Sequence, residues 1–121
     1  MKKIISLLLF ASLFVTCRKE GPGGKGSIGG FVKHHSQLIH GAVVYIKYGA
    51  KESPGTNVTY YDASVNADAN AHYEFPDLKR GNYYLFGVGF DSSMVKTVTG
   101  GVPVTIKNKT ESVQADIPVT E

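Results

Sequence analysis

Four histidines, His34, His35, His40 and His72, and two aspartates, Asp68 and Asp91, are the side chains whose chemistry would matter most if the fold brought them together. Imidazole nitrogen and carboxylate oxygen are the donor set of zinc and copper sites. If at least three of His35, His40, Asp68, His72 and Asp91 approach one point, they can hold a transition metal, and these five are the candidate ligands. The competing reading is that they are solvated loop residues, as most exposed histidines are. Asp62, Ser64, Asn66, Asp68 and Asn70 place an oxygen-bearing side chain at every second position, as a Ca²⁺ loop does. The intervening Ala63, Val65, Ala67 and Ala69 instead mark the wet face of a half-buried strand, and Ala67 and Tyr73 stand where an EF-hand has Gly and Glu. Enzyme motifs with recognisable spacing are missing: there is no His-Glu-x-x-His, Gly-x-Ser-x-Gly or phosphate-cradling glycine loop. The expectation is a non-enzyme without a cofactor.

The elements that would position these residues follow from a period of two. Ile28, Gly30 and Val32 alternate on one strand, Ala42, Val44 and Ile46 on the next, and Tyr61, Ala63 and Val65 on a third running from Val58. Asn70 to Phe90 reads as two strands and a turn: Tyr73, Phe75 and Leu78 point inward, Pro76 closes the strand, Lys79-Arg80-Gly81 turns, and Asn82 to Phe90 returns as a hairpin. Met94 to Thr99 is a further strand punctuated by Gly100-Gly101, and Val102, Val104 and Ile106 pair with Val113, Ala115 and Ile117. The expected fold is all-β, a seven- or eight-stranded antiparallel β-sandwich of the transthyretin-like or immunoglobulin-like kind. If successive strands reverse direction, residues 34–40, 68–72 and 91–93 share one end of it, while the opposite end reads as ordinary solvated turns.

Residues 1–16 have the parts of an export signal: Lys2-Lys3, the apolar run Ile4 to Val15, and then the single cysteine of the chain, Cys17. Twelve apolar residues are too few to span a bilayer, which takes about 20. Leu13-Phe14-Val15-Thr16-Cys17 resembles the lipobox of bacterial lipoproteins, which implies lipidation of Cys17 and an anchor in the cell envelope, the outer membrane of a Gram-negative bacterium. Residues 17–26 then read as a lipidated Cys and flexible tether, and residues 27–121 as the domain. From residue 18 the chain has 11 basic and 10 acidic side chains, scattered without a basic stripe, so a nucleic-acid partner is not expected.

Ile28-x-Gly30-x-Val32, Gly41-Ala42-x-Val44-x-Ile46 and Asp68-Ala69-Asn70-Ala71-His72-Tyr73-x-Phe75-x-x-Leu78-x-x-Gly81-x-Tyr83-x-Leu85 resemble the carboxypeptidase regulatory-like domain, a transthyretin-like sandwich. Ala71 stands where that family usually has a turn glycine. The resemblance implies an accessory or binding module. Its register turns Tyr83 and Leu85 inward, so Tyr84 and Phe86, with Phe31 and Tyr45, would form an outer aromatic patch if their strands share a sheet, unless a tail or loop covers them or the true register places Tyr84 and Phe86 in the core. The leading expectation is a membrane-anchored envelope lipoprotein serving in binding or assembly, its partner an envelope protein or a glycan. The alternative is a metal-binding envelope protein that uses the loop-end histidines and aspartates.

Overall fold

A computed structural model of the chain describes residues 19–121; the leader and Cys17 lie outside the described residues. Nine strands, β1 (Pro22–His34), β2 (Gln37–Leu38), β3 (Val43–Tyr48), β4 (Ala63–Asn66), β5 (His72–Leu78), β6 (Gly81–Asp91), β7 (Lys96–Ile106), β8 (Ser112–Gln114) and β9 (Ile117–Pro118), form two sheets. One sheet is built on β1, which pairs with β2, β5, β8 and β9; the other has the order β4-β3-β6-β7. The described residues contain no α-helix, only a 3-10 turn at Val58–Tyr60. The expected two-sheet sandwich is therefore present. Ile28, Val32, Tyr73, Phe75 and Leu78 from one sheet meet Val44, Ile46, Tyr83, Leu85, Val98 and Ile106 from the other, all buried.

The turn after β5 is not a hairpin turn. β5 pairs with β1, whereas β6 pairs with β3 and β7, so Lys79-Arg80 carries the chain from one sheet to the other. The reason lies in the side chains: Tyr73, Phe75 and Leu78 point at Tyr83 and Leu85 across the core, which two neighbours in one sheet cannot do. Left-handed backbone at Asp77 (φ 59°) and Gly81 (φ 141°) bends the chain out of the sheet plane. Tyr83 fixes the crossing. Its hydroxyl donates to the Lys79 carbonyl four residues upstream and accepts from the Gly21 N–H at 2.9 Å, the arrangement of a tyrosine corner.

Other boundaries differ from expectation, each for a visible cause. Pro76 lies inside β5 and not at its end, because β5 pairs only with β1 and its other edge needs no N–H donor. β1 starts at Pro22, so residues 22–26 of the expected tether are strand, with a bulge that pairs both Pro22 and Gly26 with Leu78. The stretch from Val58 is a 3-10 turn capped by Asn57, and only residues 63–66 extend as β4. β7 runs unbroken through Gly100-Gly101. A side chain at Gly100 would meet the Pro118 carbonyl at 2.0 Å, so glycine there admits another strand rather than ending this one.

That strand is the final segment, and it does not fold back on β7 as a hairpin. β8 and β9 run parallel to β1, with Ile28 opposite Val113 and Val32 opposite Ile117, and Thr120 then bridges to Thr99 of β7. Gly30 makes the approach possible, since a Cβ there would meet the Ala115 carbonyl at 2.2 Å. A hairpin would have left a long edge of β1 unpaired; the parallel course covers it and laces the two sheets together.

Tyr73→Ala or Phe75→Ala should cost about 3–5 kcal/mol, as large aromatic truncations do, out of a total of about 5–15 kcal/mol. Tyr83→Phe, which leaves the Lys79 and Gly21 backbone groups without their partner, should cost about 1–3 kcal/mol. Exposed Glu74→Ala should cost little. Urea unfolding of the four variants checks the order; similar, small losses at Tyr73, Phe75 and Glu74 would show that the register is wrong.

Candidate functional site

The inward alternation of β1 ends at His34 and that of β6 ends at Asp91, so the two sheets present one histidine and one aspartate to each other at the end of the core. Both are buried, at 1% and 2% exposure. His34 Nδ1 lies 2.8 Å from Asp91 Oδ2, and His34 Nε2 lies 2.7 Å from Glu121 Oε1. Asp91 also accepts from Ser93 N, Ser93 Oγ and Met94 N, which closes the β6–β7 turn. The Asp91 hydrogen bond is the main cause that raises the His34 pKa above its ordinary value; burial opposes it and Glu121 adds to it. Reciprocally, His34 and then Ser93 hold Asp91 down at about 2.

The end of the sandwich does collect the loops expected there, but the five candidate ligands do not converge. Asp68 receives the backbone N–H groups of Asn70 and His72 and so shapes its own turn, while Ala71 takes a left-handed φ of 66° in that turn. The His72 ring packs edge-on against Phe31 at 5.2 Å. His40 is exposed between buried Ile39 and Ala42. Asp91 is spent on His34. Of the five, only His35 belongs to a set with metal-binding geometry among the described residues: ligand atoms of His34, His35 and Glu121 all lie within 4.8 Å of one another. One further step of the Ile28, Gly30, Val32 alternation would have marked His34 as inward, and one further step past Gly89 would have marked Asp91. Glu121 carries no such local signal.

The aromatic residues form a different surface. Phe31 lies on the β1 sheet and Tyr45, Tyr84 and Phe86 on the other, so the four expected patch residues do not share a face. Tyr45 and Phe86 are cross-strand partners on the outer side of the β4-β3-β6-β7 sheet. Phe86 is not open to solvent: it is 5% exposed because Tyr61, arriving from the 3-10 turn, stacks on it at 5.6 Å and 18°. Tyr45 completes the triangle, 6.0 Å from Tyr61 and 6.5 Å from Phe86. Tyr61 was expected on the same side as Val65; the turn at residues 58–60 breaks that parity and swings its ring outward. Its hydroxyl donates to the Gly55 carbonyl. Lys47 and Asp62 pair at 3.6 Å beside the rings, and Asp62 also accepts from the Tyr48 N–H. The loop thus turns a bare patch into a half-exposed aromatic platform with a polar border.

Two solved structures share this architecture. A putative carbohydrate-binding protein from Pseudomonas aeruginosa matches with a TM-score of 0.56 and 15% identity, over 89% of this chain and 95% of its own. The major pilin subunit of Bacillus cereus matches with a TM-score of 0.54 and 14% identity, over 81% of this chain, which spans 30% of the pilin's length. What they share with it is the fold. No protein-family model and no curated protein matches the sequence.

The His34–Asp91 pair gives the fold a pH dependence with two limbs. His34 is raised in the fold, so its contribution is complete below about pH 6.5, its unfolded value, and is lost as pH rises through the folded value. Asp91 is lowered to about 2, so its contribution is complete above about pH 4 and is lost as pH falls toward 2. Glu121, held low by its own backbone N–H and by His34, adds to the acid limb, as does Asp68, held low by the His72 and Asn70 N–H groups. Urea midpoints measured from pH 3 to 9 in the presence of a chelator should be highest between about pH 4 and 6.5, and His34→Gln should flatten the alkaline limb and shrink the acid limb to the share that Ser93, Met94 and the Asp68 turn sustain.

Proposed function

We propose that this chain is a non-catalytic binding module of the bacterial cell envelope, lipid-anchored through Cys17, of the carboxypeptidase regulatory-like kind, and that its ligand is a glycan. The observation that carries the reading is the aromatic platform on the outer side of the β4-β3-β6-β7 sheet. An outward sheet face needs no exposed aromatic side chains for folding, yet this one presents half-exposed Tyr45 and Tyr61, their rings 6.0 Å apart, over the buried ring of Phe86. The C–H face of a pyranose packs on such rings as apolar surface does, and its hydroxyl rim meets hydrogen-bonding groups such as Lys47, Asp62 and the tyrosine hydroxyls. The fold shared with the Pseudomonas aeruginosa protein supports the same class of ligand. Glycoside hydrolysis takes two carboxyl groups flanking the bond, and Asp62 beside the rings is already committed to Lys47 and to the Tyr48 N–H.

The anchor reading gains support from the end of the sandwich where β1 begins. Lys25, Lys79, Arg80 and Lys109 line one groove there, next to the point where residues 18–21 would join the domain to Cys17. Basic side chains at that end favour anionic headgroups, each contributing about 1 kcal/mol near a charged surface. β1, 13 residues long, would carry the opposite loop end about 40 Å from the membrane at roughly 3.3 Å per residue.

Retention on immobilised cell-wall and outer-membrane polysaccharides tests the ligand. Wild-type protein should be retained saturably, and Tyr61→Ala and Tyr45→Ala should each weaken retention at least tenfold while the inward core stays intact by melting temperature; equal retention of wild type and both variants, or none, would refute the platform. The anchor is tested separately: Cys17→Ala should move the protein out of the membrane fraction and abolish fatty-acid labelling, and a wild type that takes up no label would overturn it.

A further inference from the structure

The geometry points to a metal site at the loop end, in which His34 Nε2, His35 and Glu121 bind a divalent ion of the zinc class while Asp91 holds His34 from behind. This goes beyond the glycan reading and stands whether or not that reading survives. Three features of the arrangement carry it.

The first is the second layer around the metal. In metal sites the ligating imidazole donates its other N–H to a carboxylate, which fixes the tautomer and aims the free nitrogen. Here Asp91 Oδ2 sits 2.8 Å from His34 Nδ1, on a side chain that is itself buried and locked by Ser93 and Met94. Nδ1 therefore keeps its proton, and Nε2 is the nitrogen aimed outward, at Glu121 Oε1.

The second is the position of His35. It follows β1 directly, and an uninterrupted strand would turn its side chain away from that of His34. It instead adopts a φ of 58°, in the left-handed region that is costly for a residue with a Cβ. The result is that its ring lies 4.5 Å from the ring of His34. A tetrahedral ion with ligands at about 2.0–2.1 Å separates them by about 3.3 Å. The 2.7 Å pair of His34 and Glu121 has only to open slightly around an ion, and His35, exposed on a turn, has to move inward by about 1.5 Å from the widest separation of 4.8 Å.

The third is charge. Asp91 and Glu121 bring two carboxylates to the two nitrogens of one imidazole, at 2.8 and 2.7 Å, while nearby Lys33 is paired with Asp116 at 3.2 Å. A dication at Nε2 would compensate both carboxylates. Two histidines and one carboxylate leave the fourth position for water, so the site is of the open, exchangeable type, and imidazole donors select zinc, copper or nickel over calcium or magnesium.

Calorimetric titration of Zn²⁺ into the purified full-length protein, free of any polyhistidine tag, tests the site, with Co²⁺ absorption as a second readout of tetrahedral ligation. The expected result is one equivalent of Zn²⁺ bound saturably, with a rise in melting temperature. His35→Ala and Glu121→Gln, both at exposed positions where the fold should survive, should each weaken binding at least tenfold. His40→Ala and His72→Ala should leave it unchanged, because those rings lie outside the set. No saturable binding to the wild type, or binding that His35→Ala leaves intact, or binding lost in His40→Ala or His72→Ala, would overturn the assignment.

Discussion

The crossing at Lys79-Arg80 is the constraint on which the rest of the structure depends. Because β5 and β6 enter different sheets, the inward side chains of two sequence-adjacent strands become the two halves of one core, Tyr73, Phe75 and Leu78 against Tyr83 and Leu85. The tyrosine corner of Tyr83 secures this geometry by giving the Lys79 carbonyl and the Gly21 N–H a partner where the chain leaves both sheets. On either side of the crossing, β5 lies beside β1 and β6 beside β3. The positions of the loop end and of the outer aromatic face follow from that pairing.

At the far end of the core, alternation delivers a polar pair where two apolar side chains would otherwise meet. A buried histidine and a buried aspartate are costly unless they satisfy one another, and His34 and Asp91 do so with Ser93, Met94 and Glu121 using the remaining capacity. A hydrophobic pair of similar size often serves stability as well or better, so the ionic pair is not required by the packing of the core. Exposed His35 beside it is what turns a satisfied structural pair into a set of donors.

Much of the architecture was legible in the sequence because it rests on short-range alternation. Ile28, Val32, Val44, Ile46, Tyr73, Phe75, Tyr83 and Leu85 lie in the core for the reason that a period of two provides. What parity cannot supply is which strands are neighbours. Residues 73–85 form two strands and a turn in either a hairpin or a crossing, and only the packing of both inward sets on each other decides between them. The same blindness misplaced the final segment, whose inward residues suit a hairpin with β7 as well as a parallel course along β1. The five candidate metal ligands shared an end of the sandwich without sharing a point, since turn-shaping roles claimed Asp68 and the Phe31 contact claimed His72. Strand parity assigns Tyr61 to the side of Ala63 and Val65 because it cannot foresee the 3-10 turn that reverses it.

In the proposed account the sandwich is a rigid support carrying a glycan platform on one outer face and an ion site at the end farthest from the membrane, with the aromatic platform as its central element. The most direct measurement is a backbone-amide NMR titration of the protein with soluble fragments of the envelope polysaccharide that retains it. The account predicts that shifts concentrate at residues 45–47, 61–64 and 84–86, with the β1 sheet undisturbed. Shifts confined to the β1 sheet or spread evenly over the molecule would contradict it.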